Sequence, residues 1–432
     1  MRFPLPAIKF LLFLLAIPWQ NAQANGPQEL FDAMTAGTIS VVAVAESPLI
    51  LRVEVANRRA QWQQLILCSP MAAVAPNFTG KLQPAADEQP DMIERMKQIR
   101  QISTSQVLAL GGIDGRGGFG GPRKFALPPG ETLVLRVPIL VTELHEFRPD
   151  ADVQYRLLPA ERITDDLNLL TLWRELSRAG ASHSVAQAAF WHLLHGVPLR
   201  QLRLLKHQEI NDVEIPLAEH LVSEVLRCAQ APEQSVARVP AKLYLEFINK
   251  AGNEVSPLAA SMTQLTKSGG FLGLPVESEN IESATLQTPA QLATAIGCQI
   301  TLGGSLQQPS ASVILARWDG RMFRVHRQTR TALVANPDPR QALSLLETHI
   351  LRQVIELRRT TPMDRGSPYG VEIVNHFPLA IRALRLSCEV DATAASREIT
   401  LTGYAIGPGR RVAVDVEYSP YSLQVIGTAW GR

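Results

Sequence analysis

The sequence predicts a multidomain α+β protein: a β-sandwich, a helical bundle, a small α/β domain and a C-terminal β module, in that order. Two observations carry this. Apolar residues alternate in β-branched runs over 37–141, fall at helical spacing over 165–230, mix both patterns over 241–359, and alternate again over 366–432. A chain of 432 residues that is 46% hydrophobic has material for several cores, which excludes a wholly disordered or collagen-like chain. Its 42 basic against 40 acidic residues, a formal charge of +2, argue against a dedicated nucleic-acid binder and leave room only for local charged patches.

Residues 1–24 read as a secretory signal. Arg2 and Lys9 are its charges, Phe10 to Ile17 its apolar run and Ala22-Gln23-Ala24 its cleavage site, so the mature chain is expected to start at Asn25. No later stretch is apolar enough for a transmembrane span. The expectation is an exported, periplasmic protein. Cys68, Cys228, Cys298 and Cys388 form no C-x-x-C, and their contexts fit small buried thiols better than a disulfide framework; the sequence assigns no pairing.

The first expected domain, 25–150, holds strands at Thr38 to Val44, Ile50 to Val55, Leu65 to Cys68 and Thr132 to Leu140, the last after the turn Pro128-Pro129-Gly130. Pro90 to Leu110 is expected as an inserted helix. The loop after it contains Gly115, Gly117 and Gly120 in a G-x-G-x-x-G. A dinucleotide site needs a strand before that motif and a helix after it; here the order is wrong, so the loop reads as a surface loop. Over 160–230, Asp165 or Asp166 caps one helix, Ser184 caps a second that Gly196 closes, Pro198 opens a short basic helix, and Pro216 sits in the first turn of a fourth. Residues 229–240 are the linker candidate.

The expected α/β domain, 241–360, runs strand Lys242 to Ile248, helix from Ser256 to Gly269-Gly270, strand Phe271 to Val276, helix Pro289 to Ile296, strand Gln299 to Leu302, a hairpin of Ala311 to Trp318 and Arg321 to Gln328 across Asp319-Gly320, and helix Pro339 to Arg359 with Leu343, Leu346, Ile350, Val354 and Leu357 as its stripe. Leu258, Met262 and Leu265 are expected to face Leu243, Leu245 and Phe247 of the first strand. In the C-terminal module, 366–432, VEIVN (371–375), IRALRLSC (381–388) and a strand after Pro408-Gly409 echo VEVAN (53–57), WQQLILC (62–68) and the strand after Pro129-Gly130. The echo reads as two related or convergent β units.

Residues 241–330 resemble the α/β domain shared by the TolB amino-terminal region, CsgG and LpoB. LYLEFINKAG before PLAASMTQLTKSGGF, the helix AQLATAIG, and QITLGGSLQ before SVILARWDGRMFRVHRQT carry the resemblance. It implies a non-enzymatic domain in a bacterial envelope machine. The chain departs from CsgG and LpoB in lacking a lipidated Cys, and from TolB in lacking propeller repeats. Residues 37–141 resemble a small immunoglobulin-like domain of extracytoplasmic proteins.

No catalytic or cofactor motif stands out. His192 and His195 lie three apart on a helix, but neither an H-E-x-x-H nor a third ligand accompanies them. The expected catalytic, metal and cofactor sites are therefore none. The candidate partner-binding residues are Arg317, Arg321, Arg324, Arg327 and Arg330, which straddle the hairpin turn, with Arg324 and His326 expected on one strand face and Arg321 and Arg327 on the other. The leading functional expectation is an exported scaffold or accessory protein that binds other envelope proteins, with an anionic cell-wall polymer as a further partner. The alternative is an exported enzyme acting on glycan or peptide, with its site between the helical and α/β domains.

Overall fold

The structure, a computed structural model, describes residues 27–47, 50–67, 70–76, 78–84, 107–110, 123–143, 153–179, 181–202, 210–231, 239, 241–252, 254–277, 289–318, 323–362, 368–388, 397–416 and 419–430. The signal segment, the Gly115 to Gly121 loop, Cys68 and most of the 229–240 linker lie outside them. The described part is a mixed α+β chain with several sheets and helices.

The first region contains β1 (Gln28–Glu29), α1 (Leu30–Thr35), β2 (Ile39–Ser47), β3 (Ile50–Asn57), β4 (Gln63–Leu67), β5 (Met71–Val74), β6 (Val107–Leu110), β7 (Arg123–Leu127), β8 (Thr132–Val141) and β9 (Gln154–Pro159). Strands β2-β3-β8-β6-β5-β9 close into a barrel, and β1-β4-β7 form a separate sheet. Strand β3 alternates buried and half-buried residues, as one inward face requires. The helix expected over Pro90 to Leu110 is corrected at its end: Val107–Leu110 is β6, paired with β5 and β8. The short run VLAL fits a strand buried in a sheet as well as it fits a helix turn, and periodicity cannot separate the two at that length. Strand β8 changes partners along its length. Its register with β3 ends at Pro138, and its register with β6 begins at Ile139. Proline, lacking an N–H, stands at the hand-over.

Helices α2 (Leu167–Ala179), α3 (His183–His195), α4 (Leu199–Leu202) and α5 (Ile215–Gln230) follow. Asp166 Oδ1 accepts from Leu169 N at 2.8 Å, as expected of a cap. The cap of α3 is Ser182, whose Oγ accepts from Val185 N at 3.2 Å; Ser184, the expected cap, is already inside the helix. Gly196 closes α3 at φ 66°, where a side chain would be strained. Trp173 and Phe190 meet edge to face at 5.5 Å inside the core of this region, which also takes in Ala72, Val74 and Leu140 of the barrel.

One stripe of α3 replaces the strand that β8 lost. His183 Nε2 donates to Ile139 O at 2.6 Å. Gln187 bonds both N and O of Val141 at 2.8 Å. Trp191 Nε1 donates to Val141 O at 2.9 Å, and His195 Nε2 to Thr142 O at 2.6 Å. Positions four apart lie on one helix face, so four side chains satisfy a bare strand edge in sequence.

The third region contains β10 (Lys242–Asn249), α6 (Ser256–Gly269), β11 (Val276–Glu277), α7 (Pro289–Ala293), β12 (Ala295–Gly304), β13 (Pro309–Trp318), β14 (Phe323–Ala332) and α8 (Pro339–Val354). The sheet order is β11-β10-β12-β13-β14, with β10 parallel to β11 and β12 and the rest antiparallel. Leu258 and Met262 are buried as expected; Leu265 is half-buried, and Thr266 takes the next inward place. Helix α7 stops sooner than the Pro289 to Ile296 expected, because Ala295 and Ile296 already pair with β10. Helix α8 stops at Val354, so Leu357 leaves the helical stripe and lies on the next strand.

The last region has β15 (Ile355–Thr360), β16 (Tyr369–Asn375), β17 (Ile381–Cys388), β18 (Arg397–Ile406), β19 (Arg411–Val416) and β20 (Leu423–Trp430), in sheets β15-β16-β19 and β18-β17-β20. Its first sheet repeats the β2-β3-β8 register. Ile39 pairs Asn57 and Thr132 pairs Ala56; Ile355 pairs Asn375 and Arg411 pairs Val374. The echo in sequence reaches single hydrogen bonds. Asn57 Nδ2 faces the carbonyls of Gln61, Leu127 and Pro128 at 2.8–3.0 Å, and its Oδ1 accepts from Arg59 N at 2.9 Å. Asn375 Nδ2 faces those of Leu379, Ile406 and Gly407 at 2.8–3.1 Å, and its Oδ1 accepts from Phe377 N at 2.9 Å. The amides of Asn57 and Asn375 donate to Glu131 O and Arg410 O, the residues just past the two Pro-Gly turns. Gly130 at φ 72° and Gly409 at φ 70° supply the positive φ those turns require.

Apolar side chains form one cluster in the barrel, one around α2 to α5, and one that runs without a break from the β10–β14 sheet through α8 into β16–β20. Cys228, Cys298 and Cys388 are buried free thiols; burial alone pushes the Cys298 thiol far up. None of the described helices is long and apolar enough to cross a membrane.

Candidate docking surface

The β10–β14 sheet has two unlike faces. Leu243 on β10, Cys298 and Ile300 on β12, and Val313 and Leu315 on β13 share a core with Leu258 and Met262 of α6 and Leu346 and Ile350 of α8. Register places Glu246 and Ile248, Gln299 and Thr301, Ser312 and Ile314, and Gln328 and Arg330 on the opposite face. The Gln299 amide donates to Glu246 Oε2 at 2.8 Å across that face. A half-polar alternation of this kind suits a sheet backed by helices on one side only.

Strand β14 is the sheet's edge: among the described residues it pairs with β13 alone. From Arg321 to Pro337 the sequence carries four Arg and neither Asp nor Glu. Arg317 lies directly opposite Arg324 in the ladder, a like-charge pair that costs stability unless an anion is near. Arg324 and Arg330 are exposed. Arg327 is half-buried opposite Leu315 and donates to Gln353 Oε1 of α8 at 3.4 Å. Arg321 lies outside the described residues. The expected alternation of Arg324 with His326 is broken by a bulge: Leu315 pairs Arg327 and the next residue, Ala316, pairs Val325, so His326 is the extra residue. Its Nε2 donates to His376 O, tying the strand to the last region. Sequence alternation cannot show a bulge that no Gly or Pro marks.

Two carboxylates near the helix end and the next strand have partners of their own. Glu356 bonds Arg358 at 2.7 Å and His376 at 3.0 Å, and those two hydrogen bonds hold its carboxyl down to about 2. Glu347 accepts from Leu272 N at 2.6 Å. Arg324 and Arg330 are exposed on this edge, Arg327 turns toward α8, and Val325 stands among them 65% exposed. His192 and His195 do not share a ligand position. His192 Nδ1 donates to Val197 O at 2.8 Å, and His195 belongs to the α3 stripe on β8.

Sequence reasoning missed a second charged site. Glu214, fully buried at the start of α5, takes Ser182 Oγ at 3.1 Å and Asn211 N at 3.2 Å, and faces Arg410 at 3.6 Å. Burial raises its carboxyl and Arg410 opposes that rise. Asn211 Nδ2 donates to Pro408 O at 3.1 Å, and a Cβ on Gly407 would come within 2.3 Å of Glu214 Oε1. This contact pins the helices to the second Pro-Gly turn. Its partners lie nearly two hundred residues apart, so no local pattern announces it.

No family model matches the chain, and no curated protein matches it. Among solved structures, TolB from Acinetobacter baumannii aligns with 12% identity over 42% of this chain and 53% of that one, about half its length, at a TM-score of 0.18.

Proposed function

We propose that this chain is an exported, periplasmic scaffold or accessory protein that docks other cell-envelope proteins along the β13–β14 hairpin. The carrying observation is β14: a ten-residue strand at the sheet's edge among the described residues, bearing Arg324, Arg327 and Arg330 with exposed Val325 between them. An exposed edge offers backbone N–H and C=O groups to an added strand, and the guanidiniums select for acidic neighbours on it. Charged residues also protect edges from unwanted pairing, so the arginines restrict what can dock. The TolB-, CsgG- and LpoB-like reading of 241–330 belongs to the same proposal. Its quoted segments become β10–α6, α7–β12 and β13–β14.

Site-directed photocrosslinking from Val325 in the exported full chain tests this. The expected result is a discrete, reproducible adduct with another envelope protein, lost when Arg324 and Arg330 are both changed to Glu and kept in Arg340→Glu on α8. Recovery of uncrosslinked monomer alone, or an adduct indifferent to the arginines, overturns it.

A further inference from the structure

The open face of the β10–β14 sheet holds a cleft of about 480 Å³ lined by Lys250, Thr301, Gly303, Ser310, Ser312, Gln328, Thr329 and Arg330. The lining contains two cations, hydroxyls and an amide, and neither a carboxylate nor an aromatic ring. We propose that this cleft binds a small ligand with two oxyanion groups, carboxylate or phosphate, on a hydroxylated spine.

Register builds the cleft. Ile248, Thr301, Ser312 and Arg330 stand side by side across four strands, and Gly303 and Ser310 form the next row. The β10 and β14 columns are three strand spacings apart, roughly 14 Å. Lys250 and Arg330 stand at the two borders of that span, with Thr301, Ser310 and Ser312 between them. Gly303 keeps the floor low: a Cβ there would sit 3.4 Å from Ser310 Oγ. Lys250 is held in place by its own turn, with Lys250 N donating to Leu302 O at 2.9 Å and Asn249 closing on Ala251 N at 2.9 Å and Gly252 O at 2.8 Å. The Thr329 hydroxyl is spent on His349 at 2.7 Å. Among the described residues, the Lys250 ammonium, the Arg330 guanidinium, the Gln328 amide and the Thr301 and Ser312 hydroxyls have no hydrogen bond or ion pair of their own.

Every one of those groups can donate, and two carry permanent charge, so the shared demand is for acceptor oxygens with negative charge near both ends. Sugar recognition by ring stacking has no platform here, which places the weight on the anionic groups. The site takes the face of the sheet and not its edge, and Lys250 lies on the border away from β14.

Calorimetric titration of the full chain with trigalacturonate, fructose 1,6-bisphosphate and neutral maltotriose tests the proposal. At least one of the two anionic probes should bind and maltotriose should not; which one binds distinguishes carboxylate from phosphate. Lys250→Ala and Arg330→Ala should each weaken binding by about tenfold or more, as loss of a hydrogen bond to a charged group does. Ser312→Trp, which fills the floor, should abolish it, with circular dichroism confirming the fold. Lys250→Ala should leave the Val325 crosslink unchanged, which separates this site from the docking edge. Failure of both anionic probes, equal binding of maltotriose, or affinity unmoved in both cation variants overturns the proposal.

Discussion

Glu143 and His183 border the same stretch of β8 and answer protons in opposite senses. Burial pushes Glu143 from its ordinary 4.5 up to about 7. Burial pushes His183 from 6.5 down to about 4, with Arg410 adding to the effect. For the acid, the stability contribution is present below pH 4.5 and is lost as pH rises through 7, because the folded state holds the proton longer than the unfolded chain does. For the histidine, the contribution is present above pH 6.5 and is lost as pH falls toward 4, because the unfolded chain takes up the proton first. Each swing is about 3 kcal/mol, and the windows nearly coincide, so the two cancel. Urea denaturation of Glu143→Gln between pH 4 and 7 should therefore show stability rising with pH by about 3 kcal/mol more than in the parent protein. Parallel pH profiles for the two proteins would contradict this assignment. Nothing in the sequence around Glu143 or His183 marks either residue, since the shifts arise from burial between segments far apart in the chain. The run of β14 arginines, by contrast, is a local cluster of charge that the sequence displays directly, and its role in docking is a proposal.

The two Asn corners are the clearest case of an element written twice. VEVAN and VEIVN each end on an Asn whose carboxamide stitches its strand to a Pro-Gly turn, and the repeat was visible because the corner's chemistry demands Asn, Pro and Gly by identity. Helix ends were less legible. The stripe of α8 continues in phase past Val354 to Leu357, and only the antiparallel pairing of Ile355–Thr360 with β16 decides where strand begins. The end of the predicted 90–110 helix failed for the same reason: tertiary pairing overrode local pattern. Asn375 is fully buried and Asn57 nearly so. Changing either to Ala leaves several buried carbonyls unpaired, so each should cost roughly 2–5 kcal/mol by chemical denaturation. Similar losses at both positions would match their equivalent bonding; a loss under about 1 kcal/mol at either, the size of an ordinary exposed hydrogen bond, would show that its corner is not structural.

At the scale of the whole chain, the order of strand-rich, helical, mixed and strand-rich regions was readable from periodicity. Closure of the first strands into a barrel was not, because closure depends on β9 meeting β2 through Ala43 and Val44, a pairing no pattern encodes. The sharing of cores was also hidden. The expected division near residue 360 carries no break in apolar contact: Ile300, Leu346, Ile373, Leu386 and Val414 belong to one cluster. That continuity gives the β10–β14 sheet and the second β unit one shared core, with β14 tied to the last region through His326 and His376. Native-state hydrogen exchange by mass spectrometry on the intact chain tests this most directly, since residues that open together share one opening free energy. The account predicts that peptides from β12, α8, β16 and β17 lose protection together as denaturant rises. Loss of protection in β16 and β17 while β12 and α8 stay closed would contradict it.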